Sequence, residues 1–244
     1  MITYRSDLSA TATMYRMANR KFPFVPGEYY HLYNRGNSKQ DIFLDNPDYV
    51  RFQRLLYLSN TVQNFKIDAI RDQGIDFYSF ERGEHLVAIG AYCLMPNHFH
   101  ILLTPLVERG VSTFMRKLST GYSMYFNNKY ERTGGLFEGR FKATHAIGDV
   151  YLKYLYSYIH LNPLKLIDPQ WRENMHKNKK EGKQYSYVRN YVYSSCVDYL
   201  DFFSRQESGI LEPNLFPKYF QSDADAQSHL TDWFSDRSDL SEQS

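Results

Sequence analysis

Residues 91–104 read AYCLMPNHFHILLT. An apolar run stops at Pro96-Asn97, and a second begins directly after it. Proline and asparagine favour a turn there, so 85–95 and 98–104 are expected as two strands of an antiparallel hairpin. Side chains alternate across a strand. His98 and His100 therefore share one face, while Phe99 and Ile101 point the other way into the core. Two imidazoles so placed can hold one divalent ion. The same triplet also arises in any half-buried strand, so a third ligand is needed before it reads as a metal site.

The segment DVYLKYLYSYIHLN, 149–162, offers one. Leu152, Leu155 and Ile159 have helical spacing, and Pro163 closes the run. Tyr158 and Asn162 are four apart and so lie on one helix face. The Asn162 amide oxygen can complete a metal site, with the Tyr158 phenol beside it. A phenol has a pKa of about 10 and is a weak nucleophile at neutral pH. A cation that polarises a phosphate compensates for that weakness. The helix by itself does not single out Tyr158 from Tyr151, Tyr154 or Tyr156.

Outward from these segments, 27–34 (GEYYHLYN) is rich in strand formers and ends at Arg35-Gly36-Asn37. Asn46-Pro47-Asp48 looks like a helix start, followed by Val50, Leu55, Leu58 and Val62. Ser112 is expected to cap a helix carrying Phe114, Leu118, Tyr122, Tyr125 and Phe126. Thr133-Gly134-Gly135 breaks that helix, and 136–147 looks extended. No internal repeat is visible. Strand, helix, paired strands, helix, strand, helix predicts an α+β protein with helices packed on an antiparallel sheet.

Composition narrows the function. The chain has 244 residues, 43% of them hydrophobic and 23% charged, as a folded protein requires. Two cysteines exclude a disulfide framework and a four-cysteine zinc site. No apolar run is long enough for a membrane helix, and the start lacks a signal-peptide core, so a cytoplasmic protein is expected. The 22 tyrosines and 17 phenylalanines serve either as core or as stacking platforms for bases. Residues 221–244 carry a net charge of −5 and the remainder +7. A basic body with an acidic tail suits a polyanion partner, and the tail is expected to restrain its access.

AYCLMPNHFHILL resembles the metal-binding segment of the HUH single-strand endonucleases, and YSYIHLNPLK resembles the tyrosine helix of the IS200/IS605-like Y1 transposases. YHLYNRGN and GLFEGRFKA are similar to the branch known as REP-associated tyrosine transposases. The likeness runs from about residue 29 to 165, with a weaker echo at YVYSSCVDYL. It implies a ferredoxin-like catalytic domain over 22–168, a loosely held segment over 1–21, and a C-terminal extension over 169–244. By resemblance, His98 and His100 match the metal-binding histidines, Tyr158 the nucleophile and Asn162 the third ligand, where the insertion-sequence branch tends to use Gln.

The family implies Mg²⁺ or Mn²⁺ as cofactor and single-stranded DNA with a REP-like hairpin as partner. Tyr158 then forms a 5′-phosphotyrosine, and a free 3′-hydroxyl reverses the step to join strands. No G-x-x-x-x-G-K-[ST] motif is present, in keeping with a reaction that needs no ATP. Asn34, Arg35, Arg116, Lys117, Arg140 and Lys142 lie near the motifs and are candidate DNA contacts. His31, on the first strand, is a candidate to support the metal ligands from behind. The loop 172–183 holds five bases and two acids and is a candidate phosphate clamp. A monomer is expected over a homodimer because of the C-terminal extension. Two other readings stand beside this one. They are a non-catalytic nucleic-acid-binding regulator on the same fold, and a phosphodiesterase that uses metal and water.

Overall fold

The computed structural model describes residues 22–171, 181–200 and 205–219. The segment 1–21, most of the basic loop at 172–180 and the acidic tail lie outside the described residues.

Four strands form one sheet. They are β1 (Tyr30–Arg35), β2 (Val87–Met95), β3 (His98–Pro105) and β4 (Lys142–His145). Their order is β2-β3-β1-β4, and every pairing is antiparallel. β2 and β3 are the expected hairpin, turned at Pro96-Asn97. Helix α1 (Asn46–Leu58) and the short α2 (Ile67–Asp72) lie between β1 and β2, and α3 (Gly110–Lys129) lies between β3 and β4. This is the split β-α-β-β-α-β arrangement of ferredoxin-like folds. Sequence periodicity gave no sign of the six-residue α2.

The sheet has two apolar faces. Leu32, Ile89, Phe99, Ile101 and Leu103 pack on one side with Phe52 and Leu55 of α1 and Phe114, Leu118 and Tyr122 of α3. On the other side, Ala91, Cys93 and Leu102 meet Leu152, Leu155, Tyr156 and Ile159 of α4 (Asp149–Leu161). The period-2 alternation of β3 thus feeds two layers at once.

Local chemistry sets the helix ends, with some differences from expectation. Asp45 and Asp48 form a reciprocal capping box at the start of α1, with Pro47 in the first turn. That helix stops at Leu58, so Val62 lies beyond it and is exposed. Ser112 does not cap α3, because the helix already begins at Gly110, after Arg109 takes a left-handed φ of 58°. Only 142–145 of the expected extended run is a strand. Gly139 bends the chain at φ 126°, and Phe137 makes a lone bridge to Gly36.

Among the described residues, the part after 169 is not a detached appendage. It runs along the outer edge of β2 and occupies the strand's unpaired groups. Leu94 N donates to Tyr193 O at 3.0 Å, Ser195 N to Tyr92 O at 3.0 Å, and Glu212 N to Ile89 O at 2.9 Å. Tyr92 N donates to Ser195 Oγ at 2.9 Å. A covered edge cannot pair with another sheet. Helix α5 (Glu181–Arg189) and helix α6 (Cys196–Leu200) pack with Leu161, Leu164 and Trp171. Among the described residues, no helix is long and apolar enough to cross a membrane.

Arg205 pins this cover. Its guanidinium reaches the fully buried Asp198 carboxylate at 2.6 Å and donates to Ser194 O at 2.8 Å. Arg205→Ala leaves that carboxylate buried and unpaired, so chemical denaturation should show a loss of about 3 kcal/mol. His160 on α4 is wholly buried against Ser195 Oγ at 2.8 Å, and burial pushes its pKa down to about 3. Its folded pKa lies below the unfolded one, so the unfolded chain binds the proton first as pH falls. Stability is then lost below about pH 6.5, by about 2 kcal/mol at pH 5 from this group. Denaturation curves at pH 7 and pH 5 compared between wild type and His160→Gln measure that share.

Candidate active site

Strand pairing brings the polar groups together. Tyr33 pairs with His100, Arg35 with His98 and His31 with Leu102, all within β1 and β3. Directly paired residues share a face. The α4 side of the sheet therefore carries His98, His100, His31, Tyr33 and Arg35 in one patch. On β4, Lys142 lies opposite Tyr33 and Thr144 opposite His31, which extends the same face.

Hydrogen bonds orient the imidazoles. His98 Nδ1 lies 2.6 Å from Asn97 Oδ1. An amide oxygen only accepts, so the His98 proton sits on Nδ1 and its lone pair on Nε2. His100 Nδ1 lies 2.9 Å from His31 Nε2. When His100 donates in that bond, its own Nε2 carries a lone pair in the same way. Metal-binding histidines are generally oriented through the second ring nitrogen like this. Burial pushes His31 down to about 4. His98 also falls to about 4, first through burial and then through the positive charge of Lys165, with Arg35 adding to it. Both rings are neutral at physiological pH, the form that can coordinate a cation.

Helix α4 supplies the other half. Leu155, Tyr156 and Ile159 seat it on the sheet, and this turns Tyr158 toward the histidines. The Tyr158 ring lies edge-on to His100 at 5.4 Å between centroids and to His31 at 6.0 Å. Asn162 ends the helix and is fully buried. Its Nδ2 donates to Tyr158 O at 3.2 Å. Its Oδ1 is buried with no hydrogen bond of good geometry, though the amide lies close enough to His98 to favour that ring's protonated form. Lys165, on the short turn Asn162–Leu166, holds its ammonium 5.6 Å from the Tyr158 ring centre.

His98, His100, Tyr158 and Asn162 thus converge as the motifs imply. Among the described residues no group of three His, Cys, Asp or Glu forms a metal site. The donor set here is instead two imidazoles and one amide oxygen. The buried, unsatisfied Asn162 oxygen fits a small divalent ion. With three neutral donors, such an ion keeps its full charge for a phosphate.

The candidate DNA contacts separate into two groups. Lys142 is exposed on the histidine face, Arg140 is exposed two residues before it, and Arg35 is half-buried opposite His98 and paired in a fork with Glu138. Asn34 is corrected. It is buried on the α1/α3 side of β1, where Nδ2 donates to Gly139 O at 3.0 Å and Oδ1 accepts from Arg35 N at 2.9 Å. Arg116 and Lys117 are also corrected, because they stand on α3, across the sheet from the histidines. They line a groove of 840 Å³ with Arg51, Lys66 and Arg71. Lys117 Nζ there donates to Thr61 O at 2.7 Å and Gln63 O at 2.5 Å. Sequence reasoning missed Asn97, Tyr33 and Lys165. Only the place of Lys165, seven residues after Tyr158, hinted at a shared helix side.

The sequence model of the family described as Transposase IS200 like matches residues 68–162, a span that includes both histidines, Tyr158 and Asn162. The motif resemblance and this match thus point to the same family over that part of the chain. No curated protein matches the chain. A solved structure of a REP-associated tyrosine transposase bound to a REP hairpin aligns over 78% of this chain and 90% of that one, at 13% identity and a TM-score of 0.47.

The His31–His100 bond generates a prediction. His31→Ala removes the partner that orients His100, so Mn²⁺ affinity measured by calorimetry should fall 10- to 100-fold. An unchanged affinity would show that His100 needs no such support.

Proposed function

We propose that this protein is a tyrosine nuclease and strand transferase acting on single-stranded DNA that carries a REP-like hairpin. The observation that carries the reading is the meeting of one phenol, two imidazoles and a buried amide on a single face of the sheet. The IS200-like family match across the same residues supports it.

The chain's own groups each have a task. His98 and His100, through their Nε2 lone pairs, and Asn162, through Oδ1, would hold Mg²⁺ or Mn²⁺. A divalent ion bound there would supply charge stabilisation to the scissile phosphate. His31 and Asn97 fix the two ring orientations. Tyr158 Oη attacks the phosphorus, and a new O–P bond forms as the P–O3′ bond breaks. The phenol gives up its proton, and the departing 3′-oxygen takes one. The product is a 5′-phosphotyrosine ester. Attack by another 3′-hydroxyl exchanges one P–O bond for another, so rejoining needs no external energy. Lys142 provides positive charge on this side of the sheet for the strand's phosphates, with exposed Arg140 close to it in sequence and Arg35 available if it exchanges Glu138 for a phosphate. With the β2 edge covered by the chain's own C-terminal part, a self-contained monomer is the proposed active form.

Incubation with hairpin-bearing single-stranded DNA and Mn²⁺ tests the reading. A covalent protein–DNA band should form, and it should vanish with chelator and with Tyr158→Phe. Cleavage that survives Tyr158→Phe would point instead to hydrolysis by water. Tight hairpin binding with no cleavage by wild type would point to a regulator.

A further inference from the structure

Helix α4 carries more aromatic surface than its packing uses. Its core stripe is Leu152, Leu155, Tyr156 and Ile159, with Tyr154 and Tyr158 half-buried against it and Tyr151 exposed. Tyr151, Tyr154 and Tyr158 follow a second stripe, spaced three and four residues apart. Their rings form a ladder. Tyr151 and Tyr154 are 5.9 Å apart between centroids with planes 15° off parallel, and Tyr154 and Tyr158 are 6.0 Å apart at 13°. The ladder starts at Tyr151, which is 37% exposed, and ends at the phenol beside His100. Ile147 and Val150, next to its outer end, are each 71% exposed.

A helix serving stability alone would turn such rings into the core, where a tyrosine removes 150–250 Å² from water. Ring–ring contacts of about 0.5–1.5 kcal/mol each hold this row in order but leave its outer surface wet. Cations flank it, with Lys165 over the Tyr158 ring and exposed Lys142 opposite Tyr33. Tyr33 itself stands close enough to Tyr151 to act on it electrostatically. Aromatic faces interleaved with lysines are what an unpaired strand of nucleic acid recognises: bases stack on the rings and phosphates meet the charges.

We propose that Tyr151 and Tyr154 form a stacking platform for the unpaired bases that flank the phosphate attacked by Tyr158. This rests on the tyrosine-nuclease reading and adds to it a subsite for the unpaired bases. The strand lies along α4 from the reactive phenol toward the helix N-terminus, and duplex DNA is excluded because its bases are already stacked on one another.

The test uses full-length protein and hairpin-bearing oligonucleotides with 2-aminopurine placed at successive positions of the unpaired segment. Wild type should quench the fluorophore at one or two positions adjoining the cleaved bond. Tyr151→Ala and Tyr154→Ala should each abolish that quenching and weaken binding about 5- to 150-fold, the range for loss of one base–aromatic stack. Tyr151→Trp should restore both. An abasic site at the quenched position should weaken wild type equally and have little further effect on Tyr151→Ala, because the two changes remove the same contact. Circular dichroism of Tyr151→Ala, a change at an exposed site, should match wild type. An adduct formed by wild type without quenching at any position overturns the platform and leaves the nuclease reading intact. Quenching lost in Tyr151→Ala without any adduct from wild type upholds the platform and removes the nuclease reading.

Discussion

The register between β1 and β3 carries the site. His98 sits opposite Arg35 and His100 opposite Tyr33, and His31 lies diagonal to His100 within hydrogen-bond reach. A slip of one residue would turn both β3 histidines into the α1/α3 layer and bring Phe99 and Ile101 out toward α4. Such a slip is prevented by the apolar side of the same strand. Phe99, Ile101 and Leu103 are fully buried among Phe52, Phe114 and Tyr122, so the packing of one face fixes the chemistry of the other.

The tyrosine helix is placed by a second constraint, which acts through absence. Gly90 in β2 has no side chain, and the Tyr156 hydroxyl and the Phe216 ring fill that space. A Cβ there would lie 2.5 Å from the hydroxyl and 2.7 Å from the ring. Tyr199 OH donates to Gly90 O at 2.6 Å. One glycine therefore lets α4 and the C-terminal part approach the sheet together. Tyr156 is consumed by that contact, and Tyr158, two residues on, faces the histidines. The edge cover and the helix that carries Tyr158 are thus seated by neighbouring contacts on the same strand.

The abundance of tyrosine has a largely structural explanation. Many of these rings are buried with their hydroxyls on backbone carbonyls far away in sequence: Tyr122 on Ile42, Tyr191 on Leu94 at 2.8 Å, Tyr57 on Phe80 at 3.1 Å. Each joins an apolar body to a polar tether, which ties connecting segments to the core. Tyr151 and Tyr154 stand apart from these, since they line up beside a catalytic candidate and reach solvent.

Much of the site was legible in the chain because it rests on local periodicity. Alternation along 98–104 put His98 and His100 on one face, and four-residue spacing put Tyr158 and Asn162 together. Backbone geometry dictates both, whatever the rest of the fold. Spacing could not choose Tyr158 among its neighbours. Phase on a helix says which residues travel together, and only packing says which side is buried. The sheet takes Tyr156 into the core, and of the three rings left on the other stripe it is Tyr158 that lies against His100 and His31. Nor could sequence distance show that His31 would orient His100, or that Arg116 and Lys117 would stand across the sheet. Those depend on which strands pair and which helices share a layer, and long-range packing alone decides that.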